Sequence, residues 1–363
     1  MKELKILHIS TEPSWRGGEQ QLAYLLEEIR DKVNNIVLCA VNSKMEEFCN
    51  SKQITFFSAK KRSGFDLGFS KKIKTISVEY QPDAIHVHDA HAHTFAVLAA
   101  SIYGNKVPIF ISRRVDFPIK ESWFSSYKYN HSSIHKILCV SDKIKEITER
   151  GIKDKSKLVT VYSGIDLEKF TVANGKLKKE LGLSPDAFLV GNTSALADHK
   201  DYFTFIDAVE LVLKEDRSIQ FVVLGKGPLE EEIKRYAKEK GVMTNLKFLG
   251  FRTDISSILS DFDCFLITSK TEGLGTSILD AFACKIPVVA TAAGGIPELV
   301  EDNRTGLLCP IKDAECLSEA ILKIKNDKTL AKHLIEQAAE KVKLFSKAKT
   351  AENTLRWYKT ISG

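Results

Sequence analysis

Ser269-Lys-Thr-Glu272-Gly273-Leu274-Gly275-Thr276-Ser277-Ile-Leu-Asp280-Ala-Phe-Ala-Cys284-Lys-Ile-Pro287-Val-Val-Ala-Thr291 is the stretch on which the fold of this chain turns. It follows an apolar run, Asp263-Cys-Phe-Leu-Ile-Thr268, that reads as a strand. A glycine-containing turn then leads into a helix, and a second strand starts at Pro287. Glycines let the backbone approach an anion, and a helix start presents unpaired N–H groups carrying positive partial charge. Glu272 stands before the helix and Asp280 about two turns into it. Two carboxylates so placed can grip hydroxyls at opposite ends of one ligand, because carboxylates accept hydrogen bonds strongly. A plainer alternative is equally open: Glu272 complements the helix dipole and Asp280 is a solvated helix residue.

The same alternation extends in both directions. Strand-like runs occur at Leu4–Ser10, Ile36–Val41, Ile54–Phe57, Ala84–His88, Ile109–Ser112, Ile137–Val140 and Val159–Tyr162. After a polar segment, Asn174–Asp186, the series restarts with Phe188–Gly191, Gln220–Leu224, Lys247–Leu249, Cys264–Thr268, Pro287–Ala290 and Gly306–Cys309. Amphipathic stretches such as Gln20–Arg30, Ser141–Arg150, Tyr202–Lys214 and Glu230–Lys240 lie between them. Short strands alternating with helices predict an α/β chain with parallel sheets covered on both faces. Two doubly wound, Rossmann-like units follow, with ligands beyond the carboxyl ends of the strands and a central cleft as the expected site. We expect residues 1–165 plus a returning C-terminal helix, about 346–363, to form the first domain, and residues 166–345 the second.

Composition excludes several classes. The 363 residues include 44% apolar residues and no low-complexity stretch, which argues against extended disorder. The first ten residues do not read as a signal peptide, and the longest apolar runs fall short of the ~18 residues that span a bilayer. Seven cysteines, none in CxxC spacing, predict a reduced cytosolic chain with neither a disulfide framework nor a cysteine metal site. The net charge of +6 is uneven: residues 1–165 carry 25 Lys and Arg against 18 Asp and Glu, and the remainder is close to neutral. A solvated basic surface accounts for this, and so does a front half that meets an anionic membrane or acceptor. Lys60-Lys61-Arg62 and Lys71-Lys72-Lys74 are its densest clusters. Nucleic acid is disfavoured as a partner, since no basic helix with interleaved aromatics stands out.

Four further stretches carry candidate chemistry. Ser14-Trp15-Arg16-Gly17-Gly18-Glu19-Gln20 joins the first strand to the first long helix. Asn192-Thr-Ser-Ala195-Leu-Ala-Asp-His199-Lys200-Asp201 follows a strand of the second series, and Lys200 there can neutralise phosphate charge as a leaving group departs. In His86-Val-His88-Asp89-Ala-His91-Ala-His93, His86 and His88 share one strand face. Three readings stand: a metal site, hydrogen-bonded core histidines, or cleft roles for His88 and His91 at a strand end. Ile111-Ser-Arg113-Arg114-Val115-Asp116-Phe117-Pro118 ends another strand. Asp116 there can act as an acceptor contact or general base, and Arg113 and Arg114 can hold an anionic acceptor or form structural salt bridges.

The Glu272 stretch resembles the donor-binding signature of retaining glycosyltransferases with the GT-B fold, particularly glycosyltransferase family 4. That signature is a glutamate and a glycine, then a second acidic residue and alanine within the helix, followed by a proline-valine strand. Other pieces match in order: Val161-Tyr-Ser-Gly164-Ile-Asp166 through Phe170, Leu224-Gly225-Lys-Gly227-Pro228, Phe248-Leu-Gly250-Phe251-Arg252, and Gly294-Gly295-Ile-Pro297-Glu298 followed by Gly306. The resemblance covers nearly the whole chain. It implies that Glu272 contacts the donor sugar and that Gly273, Leu274, Gly275, Thr276 and Ser277 offer amides to the diphosphate. It also implies that Gly17, Gly18 and Gly225 face phosphate and that Phe251 and Arg252 flank the base. Asp280 would bind the ribose, although the family usually has the longer glutamate there. Trp15, Arg16, His91, Arg113 and Arg114 fall on the acceptor side, and Glu272, Lys200, His88 and Asp116 are the catalytic candidates. Two positions depart from the pattern: Ala195 stands where an arginine is common, and Arg114 near where many relatives carry a histidine. Arg16 and Arg252 are candidates to supply the missing cation.

The implied activity is retaining transfer of a sugar from a UDP- or GDP-sugar to a glycan or lipid-linked glycan, in bacterial cell-surface polysaccharide or lipopolysaccharide synthesis. The resemblance implies no metal and no cofactor, and a place in the cytoplasm or at the inner face of its membrane. Rival readings are a nucleotide-sugar epimerase on the same fold and a non-catalytic nucleotide-sugar-binding subunit. Incubation with donor alone separates the first, because epimerisation needs no acceptor.

Overall fold

A computed structural model describes residues 4–170 and 175–362. Asn174, where the polar segment between the two strand series begins, lies outside the described residues, as do residues 1–3 of the amino-terminal reading and Gly363. The chain divides into two compact units, one of residues 1–164 with 347–363 and one of residues 165–346.

The first unit opens with β1 (Leu4–Ser10), α1 (Gly17–Glu28), β2 (Val33–Ala40), α2 (Lys44–Lys52), β3 (Thr55–Ala59) and α3 (Leu67–Tyr80). It continues with β4 (Ala84–Val87), α4 (Ala90–Tyr103), β5 (Ile109–Arg113), α5 (Trp123–Tyr129), β6 (Ile134–Cys139), α6 (Asp142–Glu149) and β7 (Leu158–Thr160). All seven strands are parallel, in the order β3-β2-β1-β4-β5-β6-β7. Ile6, Leu7, Ile9, Ile85 and Val87 are fully buried, as expected of central parallel strands covered on both faces.

The second unit contains α7 (Lys176–Glu180), β8 (Leu189–Thr193), α8 (Tyr202–Glu215), β9 (Gln220–Leu224), α9 (Glu230–Glu239), β10 (Leu246–Gly250), α10 (Ile255–Ile258) and β11 (Cys264–Ile267). Then come α11 (Thr276–Ala283), β12 (Val288–Thr291), α12 (Ile296–Leu299), β13 (Leu307–Cys309), α13 (Ala314–Asn326) and α14 (Lys328–Val342). Its strand order is β10-β9-β8-β11-β12-β13, again all parallel. Each sheet reverses its winding at one point, between β1 and β4 in the first unit and between β8 and β11 in the second. In doubly wound sheets that reversal opens the crevice where ligands bind.

The last helix, α15 (Lys347–Tyr358), returns to the first unit. Its Tyr358 is fully buried against Ile6, Ala84, Phe110 and Leu138. Among the described residues, no helix is long and apolar enough to cross a membrane.

One expectation is corrected. Cys309, at the end of β13, is disulfide-bonded to Cys316. The Asp313 carboxylate accepts from the Cys316 amide and starts α13, turning Cys316 back over the strand end with the two Cα atoms 5.7 Å apart. Spacing in sequence does not reveal that turn. The other five cysteines are free.

Candidate active site

In the second unit the winding reverses between the loop after β8, which carries Lys200, and the loop after β11, which carries Glu272. Three contacts stitch these loops together, and a fourth braces Glu272 within its own loop. The Lys200 ammonium donates to the Glu272 carboxylate, the Thr268 hydroxyl donates to the Lys200 carbonyl at 3.0 Å, the Lys270 amide donates to the His199 carbonyl at 2.8 Å, and the Ser269 hydroxyl donates to Glu272 at 3.1 Å. Both partners of the Lys200–Glu272 ion pair are largely withdrawn from water, at 15% and 12% side-chain exposure. Water therefore screens this pair less than a surface one.

Helix α11 begins beside them. Its N-cap is Gly275, at φ 90°, which has no side chain to occupy the first amides. Leu274 is buried under the turn, and Thr276 and Ser277 are half-buried. Asp280, one helix turn on, is half-buried; desolvation pushes its carboxyl up to about 7, with Lys169 pulling the other way. At neutral pH such a group can donate as well as accept a hydrogen bond.

Gly294 clamps Glu272 from the next strand's loop. It has φ 54°, and a Cβ there would sit 2.0 Å from the Glu272 carbonyl oxygen and 2.7 Å from its nitrogen. The Gly295 amide donates to the same carbonyl at 3.0 Å. Glu272 thus lies in a clamped loop just ahead of α11. We expect Gly294→Ala to leave the second unit folded but to lower turnover roughly tenfold to a hundredfold, because side chains of catalytic sites tolerate little displacement. Wild-type kinetics in that variant, with an unchanged melting curve, would count against the clamp.

The other predicted donor residues lie along the same sheet edge. Gly225 follows β9; a Cβ on it would meet the Ser194 carbonyl at 1.9 Å, so the β8 loop rests on it. Its amide donates to the Gly250 carbonyl at 2.8 Å, which brings the β10 turn alongside. Phe251 in that turn is 71% exposed. Arg252 is committed elsewhere: its guanidinium donates to Asp254 at 2.8 and 2.9 Å and to Glu180 at 2.6 and 3.1 Å. That bidentate pairing corrects its candidacy as the cation missing at Ala195.

In the first unit the reversal lies between the β1 loop, with Trp15 to Gly18, and the β4 loop, with His88 to His91. Gly17 and Gly18 open α1, and a Cβ on either would meet no other part of the protein within 4 Å. Arg16 is the N-cap, largely exposed, and ion-paired to Glu12 at 3.3 Å. The Trp15 indole donates to Gln20 at 3.1 Å and rests on Phe48. Glu19, not singled out from sequence, is buried, accepts from the Ser10 hydroxyl and the Arg16 amide at 3.2 Å each, and is held above the usual carboxylate range by burial. An acid three residues into a helix that opens on a double glycine was the available signal.

The histidines form a buried hub that the sequence showed only in part. His8 of β1 pairs in register with His86 of β4, and its Nδ1 lies 3.1 Å from His88 Nε2. Asn35 donates its amide to the Val33 carbonyl, so its Oδ1 accepts from His8 Nε2 at 3.1 Å. His8 Nδ1 then accepts from His88, and His88 Nδ1 is left with no partner among the described residues. His86 contacts the Tyr358 hydroxyl and, at 2.9 Å, Ser112. Burial lowers His8 to about 4 and holds His86 and His88 well below the usual imidazole range, so the hub is neutral.

The ring nitrogens of His8, His86 and His88 lie within 4.8 Å of one another, a metal-like grouping. Against that use, His86 already employs both nitrogens, and the Arg114 guanidinium acts on the cluster with positive charge. The expected direct role for His88 is corrected: its ring is enclosed, and its carbonyl accepts from Arg114 at 3.1 Å. His91, by contrast, is exposed in the first turn of α4.

Arg113 is corrected too. It is buried, donates to the Tyr129 hydroxyl at 2.9 Å and the Phe117 carbonyl, and stacks on both rings. Arg114 is half-buried, with burial lowering it to about 10 and the Glu19 and Asp89 carboxylates pulling the other way. Asp116 is half-buried in the turn after β5.

Residues 174–341 match the family described as "Glycosyl transferases group 1", and residues 15–169 match "Glycosyltransferase Family 4". The N-acetyl-alpha-D-glucosaminyl L-malate synthase of Bacillus anthracis is 25% identical over 77% of this chain and 74% of its own. The UDP-Gal:alpha-D-GlcNAc-diphosphoundecaprenol alpha-1,3-galactosyltransferase of Escherichia coli is 24% identical over 90% of this chain and 89% of its own. Among solved structures, Anabaena Alr3699/HepE in complex with UDP-glucose superposes with a TM-score of 0.86, at 20% identity and 99% coverage of both chains.

Proposed function

Because this chain belongs to the glycosyltransferases of GT-B fold, we propose that it transfers a hexose from a UDP- or GDP-sugar to a hydroxyl of a glycan or lipid-linked glycan, with retention at the anomeric carbon. The observation that carries this reading is the Lys200–Glu272 ion pair, set at the winding reversal of the second sheet beside the uncapped start of α11. Amides from Gly273 to Ser277 receive the diphosphate, and Lys200 neutralises charge on it as the sugar leaves. Glu272 accepts hydrogen bonds from sugar hydroxyls. Asp280 meets the ribose and Phe251 the base.

In the transfer, the bond between the anomeric carbon and the β-phosphate oxygen breaks. A new bond forms to the acceptor oxygen, and the acceptor proton passes to the departing phosphate. Positive charge for that departure comes from Lys200 and the helix amides, so the reading requires no metal ion. Trp15 and Arg16, with His91, Arg114 and Asp116, serve the acceptor side, while Gly17 and Gly18 face the donor phosphate. The setting is cell-surface polysaccharide or lipopolysaccharide synthesis in the cytoplasm, against the inner membrane face. The relatives that act on diphosphoundecaprenol-linked and lipopolysaccharide-core substrates support it.

A thermal-shift screen of nucleotide sugars tests the donor half. A nucleotide sugar at a hundredfold its Kd adds about 2.7 kcal/mol of stability, which raises the melting temperature by roughly 5–10 °C in domains of this size. A flat response to every UDP- and GDP-sugar would overturn it. Incubation with donor alone separates transfer from epimerisation.

A further inference from the structure

The disulfide between Cys309 and Cys316 lies outside the donor loops, yet two short routes lead from it to Glu272. Strand β13 has three residues and forms the edge of the second sheet, beside β12. Cys309 is its last residue, in register with Thr291, and the Cys309 carbonyl accepts from the Ala292 amide at 2.8 Å. One route follows the backbone onward from Ala292. Gly294 lies against the Glu272 backbone, and the Gly295 amide donates to the Glu272 carbonyl at 3.0 Å. The other route runs through side chains. The Thr291 hydroxyl donates to the Ser269 carbonyl at 2.7 Å, and the Ser269 hydroxyl donates to the Glu272 carboxylate at 3.1 Å.

The bond holds that strand end from its other side. It ties Cys309 to the first turn of α13, whose Leu317, Ala320 and Ile321 belong to the same buried core as Cys309. Between the two cysteines the chain turns tightly, and Lys312 there takes φ 66°, a left-handed conformation that lysine seldom adopts. A short edge strand frays once a tether at its end is released, because few hydrogen bonds oppose local opening. The bond is also reachable. Cys309 is buried, whereas Cys316 is half-buried and Pro310, Ile311 and Lys312 in the turn are exposed. An incoming thiolate therefore meets the Cys316 sulfur first.

We propose that the Cys309–Cys316 disulfide is a reversible positioning device for Glu272, closed for transfer and opened by a dithiol reductant. The proposal rests on the Glu272 reading above and adds its regulation. One thiolate of the reductant attacks Cys316, and the S–S bond breaks with its electron pair leaving on Cys309, which takes up a proton. The second thiolate of the reductant then attacks its own partner sulfur in the mixed disulfide. Cys316 leaves and is protonated, and the reductant departs as a disulfide, so two electrons and two protons pass to the chain. With the tether gone, the end of β13 opens and Ala292 loses its acceptor. The Gly294 and Ser269 contacts then no longer fix Glu272. Disulfides of cytoplasmic proteins are mostly transient or redox-sensing, which suits this bond in the setting proposed above.

The test compares the full chain reduced by dithiothreitol with the same chain reoxidised by glutathione disulfide. Reduction is expected to speed hydrogen exchange of the Ala292 and Gly295 amides at least about tenfold, with β8 and β9 unchanged. It should lower kcat, read as UDP released from UDP-glucose, roughly tenfold, since catalytic side chains tolerate little displacement. Reoxidation should restore both. Cys316→Ser should behave as the reduced chain does and ignore dithiothreitol. In Gly294→Ala, whose clamp is already disturbed, reduction should change kcat less than about twofold. A lower melting temperature with unchanged exchange and turnover would make the bond a stabiliser alone and overturn the proposal. So would free thiols at both positions after reoxidation, read by alkylation and mass spectrometry, or a Cys316→Ser chain that matches the oxidised wild type. A chain inactive in both redox states that keeps the exchange difference would count against the transfer reading and leave the coupling in place.

Discussion

Replacing Lys200 or Glu272 with alanine is expected to lower turnover at least about a hundredfold while the second unit stays folded. Removing one preorganised group that stabilises departing charge costs about 10²–10³ in rate in well-studied enzymes. The loss should fall mainly on kcat for Lys200→Ala, because leaving-group charge develops only in the transition state. For Glu272→Ala it should fall on kcat and KM together, since a hydroxyl contact is made in both states. The two residues share one half-buried ion pair, so the double variant should be far less impaired than the product of the single effects. Glu272→Gln keeps an acceptor but loses the charge facing Lys200, and should fall between. Unimpaired turnover in either alanine variant, with the normal melting curve retained, would remove the pair from the catalytic machinery.

Mild acid is expected to unfold the first unit ahead of the second. His8, His86, His88 and His93 are buried, and burial holds each well below the ordinary imidazole value, to about 4 for His8. In the unfolded chain each takes up a proton as the pH falls through about 6.5. Between that value and 4 the unfolded state binds more protons, so stability is full above pH 6.5 and drains as the pH drops. His8 alone accounts for about 3 kcal/mol across that window. Glu19 opposes this within the same unit, because its raised carboxyl takes up a proton in the folded state first.

Asp280 has the same opposite sign in the second unit, which gains stability as the pH falls from about 7. The three tryptophans, Trp15, Trp123 and Trp357, all belong to the first unit, so their fluorescence reads it selectively. Its melting temperature should fall steeply from pH 6.5 to 4.5, and His93→Gln should flatten the slope while keeping the contact to the Lys128 carbonyl. A tryptophan-monitored melt that does not change over that range would contradict the neutral hub.

Much of the fold was legible because parallel strands announce themselves locally. A short apolar run such as Cys264–Ile267, closed by a glycine turn, needs no distant information, and each of the thirteen expected strands has a counterpart displaced by at most a few residues. Amphipathic helices were less complete: α3 passed unnoticed because three lysines stand in sequence between its buried Phe69, Ile73 and Ile76. The candidate site was legible where residue type and position in a loop suffice, as for Lys200 and Glu272. It was not where a contact spans the chain. His8 meets His88 across eighty positions, Gly294 presses on Glu272 from the neighbouring loop, and the carboxylates that occupy Arg252 come from both near and far. Arg113 looked like an anion contact because it follows a strand, yet Tyr129 and the Phe117 carbonyl hold it inside.

The return of α15 to the first unit bears on how the protein is made. Synthesis proceeds from the amino terminus, yet the helix that supplies Tyr358 to His86 leaves the ribosome after the whole second unit. The second unit has its whole sequence available before the first does. During translation the first sheet therefore waits with the pocket for Tyr358 unfilled, open to chaperones, until α15 arrives to close it.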